Sequence, residues 1–398
     1  MHILYIHQYF LTPKEPGGTR SYWLTQELLK KGHKVTMLTS SGKFEENIKE
    51  INIDGIDVIY IKEEYNQNMG IFQRLKAFLS FMYKATNIAL KQRNIDLVFA
   101  TSTPLTVGIP ALILKWTKKI PFVFEVRDLW PEVPIQMGAL DNPVMKWVAV
   151  LLEKTIYRNA EHVIALSPGM QDGVIKYISK EKTSMIPNMA KKDEFWPREK
   201  NIHLQKELGL EADSFKIIHF GSLGLANGAD TIIESAKILK DDPSVEFLFV
   251  GGGSTENQLI EQCRKHQMTN VKFLGKFSMK ETSEIVNLSD VSIISFKDLP
   301  ILYTNSPNKL FDSLSAGKPI IVNSAGWTKD MVEDHNCGYY INPHKPQDLV
   351  DKIKYLQSNS DIASQMGRNA RNLAETKFDK TIQSKKFSDI IEQVYSKI

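Results

Sequence analysis

Short apolar runs alternate with longer amphipathic stretches along most of the chain. The apolar runs predict buried strands, and the amphipathic stretches predict helices that cover them. In the first half, strands are predicted at residues 3–7, 35–39, 57–61, 97–100, 122–126, 162–165 and 183–186. Helices are predicted between them at residues 20–31, 71–93, 105–118, 143–158 and 168–177. Strands that alternate with helices in this way are typical of α/β proteins with mostly parallel sheets.

The same pattern starts again after a polar segment at residues 191–203. Further strands are predicted at residues 216–220, 246–250, 271–274, 291–295, 320–322 and 338–341. The chain therefore predicts two Rossmann-like, doubly wound domains, an N-terminal one at 1–188 and a C-terminal one at 189–379. A last helix at 380–398 lies beyond the second domain and is expected to pack back on the first.

Length, charge and cysteine content narrow the class of protein. At 398 residues the chain is long enough for two or three domains. Its two cysteines, Cys263 and Cys337, predict neither a disulfide framework nor a zinc site, which fits a protein of the reducing cytosol. No apolar run is long enough to span a membrane. Residues 1–200 hold 27 Lys/Arg and 21 Asp/Glu, a balance of +6, whereas the remaining residues hold 23 and 25, a balance of −2. A basic first half without a nucleic-acid-binding motif favours an anionic membrane surface over nucleic acid.

Glycine-rich loops follow the first strand of each predicted domain. Backbone N–H groups at such a loop and the helix after it form a site for phosphate. We therefore expect ligand contacts from Gly17 and Gly18 in the first domain and from the loop at 221–228 in the second. A third loop follows the strand at 246–250 and favours close approach of a flat ligand. The predicted contacts in the second domain are Gly221, Ser222, Leu223, Asn227, Gly251 and, for a base, Phe277. The alternatives are a plain tight turn for the first loop and a flexible connection for the second.

The stretch at residues 304–326 reads as a loop, a short helix and a strand. Lys309 lies at the helix start between Asn308 and Leu310, where free N–H groups and an ammonium suit a phosphate. Asp312, one turn later, suits sugar hydroxyls. The alternative is an ordinary strand–helix unit with a solvated lysine.

A polar cluster, beginning with Glu125, Arg127 and Asp128, comes at the end of the apolar strand at 122–126. The carboxyl end of a strand is where open α/β sheets bind ligands. Arg127 suits a phosphate or carboxylate, and Asp128 suits accepting a proton from a hydroxyl or orienting it. The alternative is a structural Arg–Asp salt bridge.

Two helices of the first half combine large apolar and basic residues. The helix at 71–93 has an apolar stripe with Lys84 among its cations, and Trp116 stands between Lys115 and Lys118–Lys119. Such surfaces seat proteins in the interfacial layer of a membrane, although an apolar stripe in the core with solvated lysines is the alternative.

Taken in order, these motifs resemble a known family. Gly17-Gly18, the residues 125–131 (EVRDLWP), Ile186-Pro187-Asn188, the 221–228 loop and the residues 306–312 (SPNKLFD) are similar to the family-four retaining glycosyltransferases of the GT-B fold. Within that family they most resemble bacterial capsule and O-antigen enzymes that transfer N-acetyl-L-fucosamine. The resemblance covers nearly the whole chain and implies two Rossmann-like domains facing a central cleft.

The resemblance also implies a reaction and its partners. A UDP-sugar donor would bind the second domain, with the 221–228 loop and Lys309 facing its diphosphate and Asp312 its ribose. The first domain would bind a polyprenyl-diphosphate-linked saccharide, which places the protein in the cytoplasm, peripheral on the inner face of the membrane. No Asp-x-Asp triplet occurs, so no metal or other cofactor is expected, and catalysis would rest on Lys309, Arg127 and Asp128.

The sequence departs from the family pattern at three places. Ser222 and Asn227 stand where many members have an Arg and a Lys, Thr304 replaces the first of two paired glutamates, and Arg127-Asp128 stands where many have a His. Two alternatives therefore remain: a GT-B transferase or epimerase of other specificity, such as one acting on UDP-GlcNAc, and a non-catalytic nucleotide-sugar-binding scaffold protein.

Overall fold

The computed structural model describes residues 1–15, 17–65 and 69–398. By their contacts these form two compact units. The first contains residues 1–14, 18–187 and 381–398, and the second contains Asn188–Lys380 together with Glu15 and Gly17. The boundary after Pro187 lies one residue before the predicted one.

The first unit is an eight-stranded sheet with helices in the connections. Its strands are β1 (His2–Ile6), β2 (Lys34–Ser41), β3 (Ile48–Ile53), β4 (Ile56–Lys62), β5 (Leu97–Thr101), β6 (Phe122–Val126), β7 (His162–Ala165) and β8 (Thr183–Met185). Its helices are α1 (Arg20–Lys30), α2 (Ile71–Lys91), α3 (Gly108–Lys118), α4 (Glu132–Gln136), α5 (Pro143–Asn159) and α6 (Pro168–Ile175).

The strand order in this sheet is β3-β4-β2-β1-β5-β6-β7-β8, and every neighbouring pair is parallel except β3 and β4. The edge strand β3 was not predicted, because its alternation of isoleucines with charged and polar residues leaves it largely exposed and no continuous apolar run marks it. The inner strands are the apolar runs of the sequence, and their side chains are almost completely buried.

The second unit is a six-stranded, fully parallel sheet. Its strands are β9 (Phe215–Ser222), β10 (Val245–Gly252), β11 (Val271–Gly275), β12 (Val291–Ile294), β13 (Ile320–Val322) and β14 (Gly338–Tyr340). Its helices are α7 (Ile202–Glu207), α8 (Asp230–Ile238), α9 (Glu256–Lys265), α10 (Met279–Leu288), α11 (Asn308–Ser315), α12 (Trp327–Asp334), α13 (Pro346–Ser358) and α14 (Ser360–Leu373). The order β11-β10-β9-β12-β13-β14 is that of the doubly wound nucleotide-binding fold, which confirms the predicted α/β fold class.

The last helix, α15 (Lys380–Tyr395), lies almost entirely within the first unit. Phe387 packs edge-to-face on Phe99 of β5 at 4.9 Å between ring centroids, and Lys31 pairs with both Asp389 and Glu392. No described helix is both long and apolar enough to cross a membrane.

Candidate functional site

The strand order of the second unit points to one edge of its sheet. Connections run one way from β9 through β10 to β11 and the other way from β12 to β14. A crevice opens at such a reversal, outside the carboxyl ends of the two central strands. Gly221 and Ser222 end β9, and Ser295 and Phe296 follow β12. The predicted glycine loop therefore lies at the position where this fold binds ligands.

Glycines let the loops at this edge pack backbone against backbone. Gly221, Gly228 and Gly251 all have positive φ angles, of 103°, 54° and 130°. A Cβ atom on Gly251 would lie 1.9 Å from the carbonyl oxygen of Gly221, and one on Gly228 would lie 2.6 Å from the backbone of Phe296. The edge consequently presents bare backbone.

We expect Gly251→Ala to destabilise the second unit much more than Gly275→Ala. Both glycines have positive φ, so both substitutions incur the left-handed backbone cost of about 1–2 kcal/mol. Only Gly251 adds a backbone collision, since the space around Gly275 is open. Thermal unfolding should show a fall of a few degrees for Gly275→Ala and at least twice that fall, or insolubility, for Gly251→Ala. Equal falls in melting temperature for the two variants would contradict the close backbone packing of Gly251 against Gly221.

Lys309 places its own ammonium group beside this bare backbone. It is the second residue of α11, and its Nζ lies 3.3 Å from Nε2 of His219 in β9 and 3.3 Å from Oδ1 of Asn227 in the glycine loop. A Cβ on Gly221 would lie 3.5 Å from its Cε atom, so the lysine runs alongside the glycine. Both polar contacts are neutral groups, and the ammonium adds to the positive end of the helix dipole.

Burial sets the charge state of this pair. Burial lowers the pKa of Lys309 to about 7. Burial also lowers the pKa of His219 well below its usual value, and the nearby charge of Lys309 adds to that shift. His219 is therefore neutral at pH 7, and its Nε2 accepts from the ammonium. A half-buried cation whose polar contacts among the described residues are neutral is stabilised by an anion, which is what a diphosphate supplies.

Asp312, the predicted ribose contact, already has a partner. It is almost fully buried, and its Oδ1 lies 3.1 Å from Nζ of Lys191, which is equally buried. Burial raises the pKa of Asp312, and Lys191 opposes that shift. The ribose contact stays a prediction, now with Lys191 as a competing partner.

Two of the predicted contact residues are buried and have backbone partners within the protein. Leu223 is buried in the core, its N–H donates to the Gly252 carbonyl at 3.0 Å, and its carbonyl accepts from Thr255. Leu310 is also fully buried, and its N–H donates to the Pro307 carbonyl. Both residues hold their elements in place and their N–H groups have acceptors within the protein, so ligand contacts from Leu223 and Leu310 stay predictions that compete with these bonds.

The other predicted residues of this unit are spread over the same loops. Asn308 is the first residue of α11, and Ser222 ends β9 beside the loop residue Gly224. Phe277 follows β11 and packs, partly buried, against the apolar cluster that contains Phe195 and Phe220. Its role as a base contact stays a prediction.

The first unit has a polar cluster at its own strand reversal, between β1 and β5. Arg127, after β6, lies with Nη1 3.2 Å from Nε2 of His7, whose Nδ1 lies 2.9 Å from the hydroxyl of Ser21. Asp128 accepts from the Thr103 hydroxyl at 2.8 Å, and burial raises its pKa. Arg127 and Asp128 thus have separate partners, and the simple Arg–Asp salt bridge is not what the structure shows.

Glu125, from the same motif, has a structural role. Arg20, the first residue of α1, donates from Nε and Nη2 to its Oε1 at 3.0 and 2.8 Å, and Thr101 donates to its Oε2. Arg20 also donates to the carbonyls of Ile186 and Pro187 at the end of the unit. Arg20 is 2% exposed and Glu125 is 0% exposed, so neither side chain is available to a ligand. Gly17 and Gly18 precede this helix, and their phosphate role stays a prediction.

Sequence reasoning missed three residues of these clusters: His7, Lys191 and His219. His219 interrupts the apolar run of β9 two residues before its glycine, and His7 follows the apolar run of β1. A polar residue in or just after a buried strand was the available signal. Lys191 gave no such signal because it stands in a charged segment.

Two doubly wound units, each with polar groups at the carboxyl ends of its central strands, define a protein of the GT-B class. Each half of the chain matches a model of glycosyltransferase domains. The family model for glycosyl transferases group 1 matches residues 201–373, and the model for a glycosyl transferase 4-like domain matches residues 17–189.

Relatives with curated descriptions are distant and match in part. Spore coat protein SA of Bacillus subtilis is 23% identical over 44% of this chain and 48% of its own length. The poly(ribitol-phosphate) alpha-N-acetylglucosaminyltransferase of Staphylococcus aureus is 23% identical over 55% of this chain and 42% of its own. The chain thus spans about half the length of these relatives.

Solved structures share the fold over its full length. Sucrose-phosphate synthase of Thermosynechococcus elongatus superposes with a TM-score of 0.78 at 16% identity, covering 100% of both chains. Anabaena Alr3699/HepE, in complex with UDP and glucose, gives a TM-score of 0.71 at 20% identity over 98% of this chain and 99% of that one.

Proposed function

We propose that this protein is a retaining glycosyltransferase that uses a UDP-sugar donor. The sugar would be an N-acetylated hexosamine or a 6-deoxyhexosamine such as N-acetyl-L-fucosamine. The acceptor would be a polyprenyl-diphosphate-linked saccharide at the inner face of the membrane, in capsule or O-antigen synthesis. The observation that carries the proposal is the half-buried Lys309 ammonium beside the bare glycine loop, whose polar contacts within the described ranges, His219 and Asn227, are neutral.

The chemistry follows from the charge that develops during transfer. As the bond between the sugar C1 and the diphosphate oxygen breaks, its electron pair leaves with the diphosphate and positive charge grows on the sugar. Lys309, the N-terminus of α11 and free N–H groups of the glycine loop would stabilise that leaving group. The acceptor oxygen would bond to C1 on the same face and give its proton to the departing phosphate, while Asp128 orients the acceptor.

This mechanism needs no metal ion. The sequence has no Asp-x-Asp triplet, and within the part of the chain that the structure describes no three His, Cys, Asp or Glu side chains group as metal ligands. A lysine and helix dipoles supply the positive charge that a divalent cation supplies elsewhere.

Donor turnover tests the proposal. Release of the nucleoside diphosphate should be measured with a panel of UDP-, ADP- and GDP-linked sugars, with and without EDTA. We expect one or more UDP-sugars to be consumed, at a rate that EDTA changes less than about twofold. Consumption of ADP- or GDP-sugars alone, or complete loss of turnover with EDTA, would contradict the proposal.

A catalytically idle nucleotide-sugar-binding protein is the second candidate. Thr304 favours it, because the residue has no carboxylate and its hydroxyl donates to the Ile301 carbonyl at 2.7 Å. Binding of UDP-sugars without turnover in the same panel, with acceptor present, would select this candidate.

Binding of UDP should take up a proton through Lys309. With a pKa of about 7 the lysine is largely neutral at pH 8, and a bound diphosphate favours its charged form and raises that pKa. Calorimetric titration at pH 8 in two buffers of different ionisation enthalpy should reveal uptake of about one proton per UDP. At pH 6 the lysine is already charged, so its uptake should nearly vanish. The same uptake in Lys309→Met would assign it to another group.

A further inference from the structure

Helix α5 exposes an unusual amount of apolar surface. Its α5 patch consists of Val144, Met145, Trp147, Val148, Val150 and Leu151, whose side chains are between 36% and 67% exposed. The residues of α5 that pack into the first unit, Glu153, Ile156 and Tyr157, all come from its second half. Monomeric proteins in water rarely expose a contiguous apolar patch of this kind without a binding role.

The neighbouring helices extend this surface. Helix α3 packs against both α2 and α5. Phe72, Leu79 and Tyr83 of α2 and Trp116 of α3 are also exposed, Phe72 to 87%. The apolar stripe predicted on α2 is therefore divided: Phe78 lies in the core, whereas Phe72 and Leu79 face solvent.

The charge on these helices favours one kind of partner. Helices α2, α3 and α5 contain nine Lys and Arg residues and a single acidic residue, the buried Glu153. Three of the cations, Lys84, Lys115 and Lys146, pair with Glu63, Glu161 and Asp141. The nine cations exceed the four carboxylates, which are Glu153 and these three partners, by five. Large apolar side chains with an excess of cations match an anionic lipid surface, whereas a second copy of this chain would bring like charges together.

We propose that the α5 patch inserts into the interfacial layer of an anionic phospholipid bilayer. The proposal deepens the proposed function by assigning the element that brings the protein to a lipid-linked acceptor. Trp147 and Leu151, one turn apart and both exposed, form the part of the patch that enters the acyl boundary. The excess of cations on α2, α3 and α5 attracts the lipid phosphates around it.

Two lysines in the predicted membrane surface are poor test positions. Lys84 Nζ donates to Glu63 and to the Lys62 carbonyl, and Lys118 Nζ donates to the carbonyls of Leu90 and Gln92. Neutralising them would disturb the fold as well as the charge. Substitutions in the α5 patch avoid this problem because these side chains are solvent-exposed.

The test compares two double variants with the same change in charge. Trp147→Glu/Leu151→Glu alters the α5 patch, and Ile238→Glu/Tyr355→Glu alters two exposed apolar residues of the second unit. Co-sedimentation with phosphatidylcholine vesicles containing phosphatidylglycerol should show that the wild-type and control proteins bind within twofold of each other. The α5 variant should lose at least tenfold in partition coefficient. Wild-type binding should fall on vesicles of pure phosphatidylcholine.

Equal partitioning of the two variants would overturn the proposal. It would also be overturned if sedimentation velocity showed a dimer that the α5 variant abolishes, because a second copy would then cover the patch. The vesicle assay uses neither donor nor acceptor, so its failure is distinct from a failure of glycosyl transfer. Circular dichroism and donor turnover of the α5 variant without membranes should match those of the wild-type protein.

Discussion

Lys309→Met should reduce transfer from the UDP-sugar by about 30- to 1,000-fold. The estimate corresponds to about 2–4 kcal/mol of transition-state stabilisation, the effect of removing one preorganised donor from a developing anion. Methionine keeps the apolar part of the side chain, so the contact beside Gly221 is preserved while the ammonium is lost. Initial rates at saturating acceptor, over a range of donor concentrations, give the change in kcat and in kcat/KM.

The stability of the same variant should not fall. Because burial lowers the pKa of Lys309 from its ordinary value of 10.5 to about 7, the folded protein binds fewer protons than the unfolded chain between those values. The lysine therefore disfavours folding increasingly as the pH falls from about 10.5 to 7, and replacing it removes that cost. At pH 7, without ligand, Lys309→Met should unfold at the temperature of the wild-type protein or above.

Lys318→Met is the matched control. Lys318 is a lysine of the same unit whose pKa burial lowers to about 8, and its Nζ donates to the carbonyls of Asn287 and Ser289. Its replacement leaves two carbonyls without their donor, so the melting temperature should fall while UDP affinity is kept. Full transfer activity in Lys309→Met would refute the role of this ammonium.

Arg20→Met should lower the stability of the first unit by about 3–5 kcal/mol, the usual cost of leaving a buried charge without its partner. The substitution removes both donors to Glu125 and the donors to the Ile186 and Pro187 carbonyls. For a unit of this size, each kcal/mol corresponds to about 2–4 °C, so the melting temperature should fall by about 6–20 °C.

The control for this variant is Arg93→Met, an exposed arginine of the same unit. It should unfold within about 2 °C of the wild-type protein. Glu125→Gln should destabilise the unit as well, because it leaves the Arg20 charge without its carboxylate. If Arg20→Met also unfolded within about 2 °C of the wild-type protein, the buried Arg20–Glu125 pair would contribute little to the stability of the unit.

The buried strands and their order of appearance could be predicted from the sequence, because a parallel strand covered on both faces is a continuous apolar run. β5 and β6 are examples, and α1 begins at Arg20 as predicted. The position of Lys309 at a helix start also followed from local signals. These features depend on residues close together in the chain.

Features that depend on distant residues were not predictable. Arg20 and Glu125 are 105 positions apart, so nothing local showed that the motif at 125–131 contains a structural carboxylate. Leu223 and Leu310 stand beside ligand-type residues, but motif position alone does not show whether a side chain points inward. No local signal marked the α5 patch, whose six side chains the structure shows to be 36–67% exposed.

Transfer of a sugar onto a lipid-linked acceptor is the most direct test of the proposed function. A UDP-sugar consumed in the donor panel should be incubated with a polyprenyl-diphosphate-linked saccharide in the presence of EDTA, and the product analysed by mass spectrometry and NMR. We predict a product heavier by one sugar residue, with the anomeric configuration of the donor retained, and at least 30-fold less of it with Lys309→Met. An inverted product, or equal product from Lys309→Met, would contradict the account.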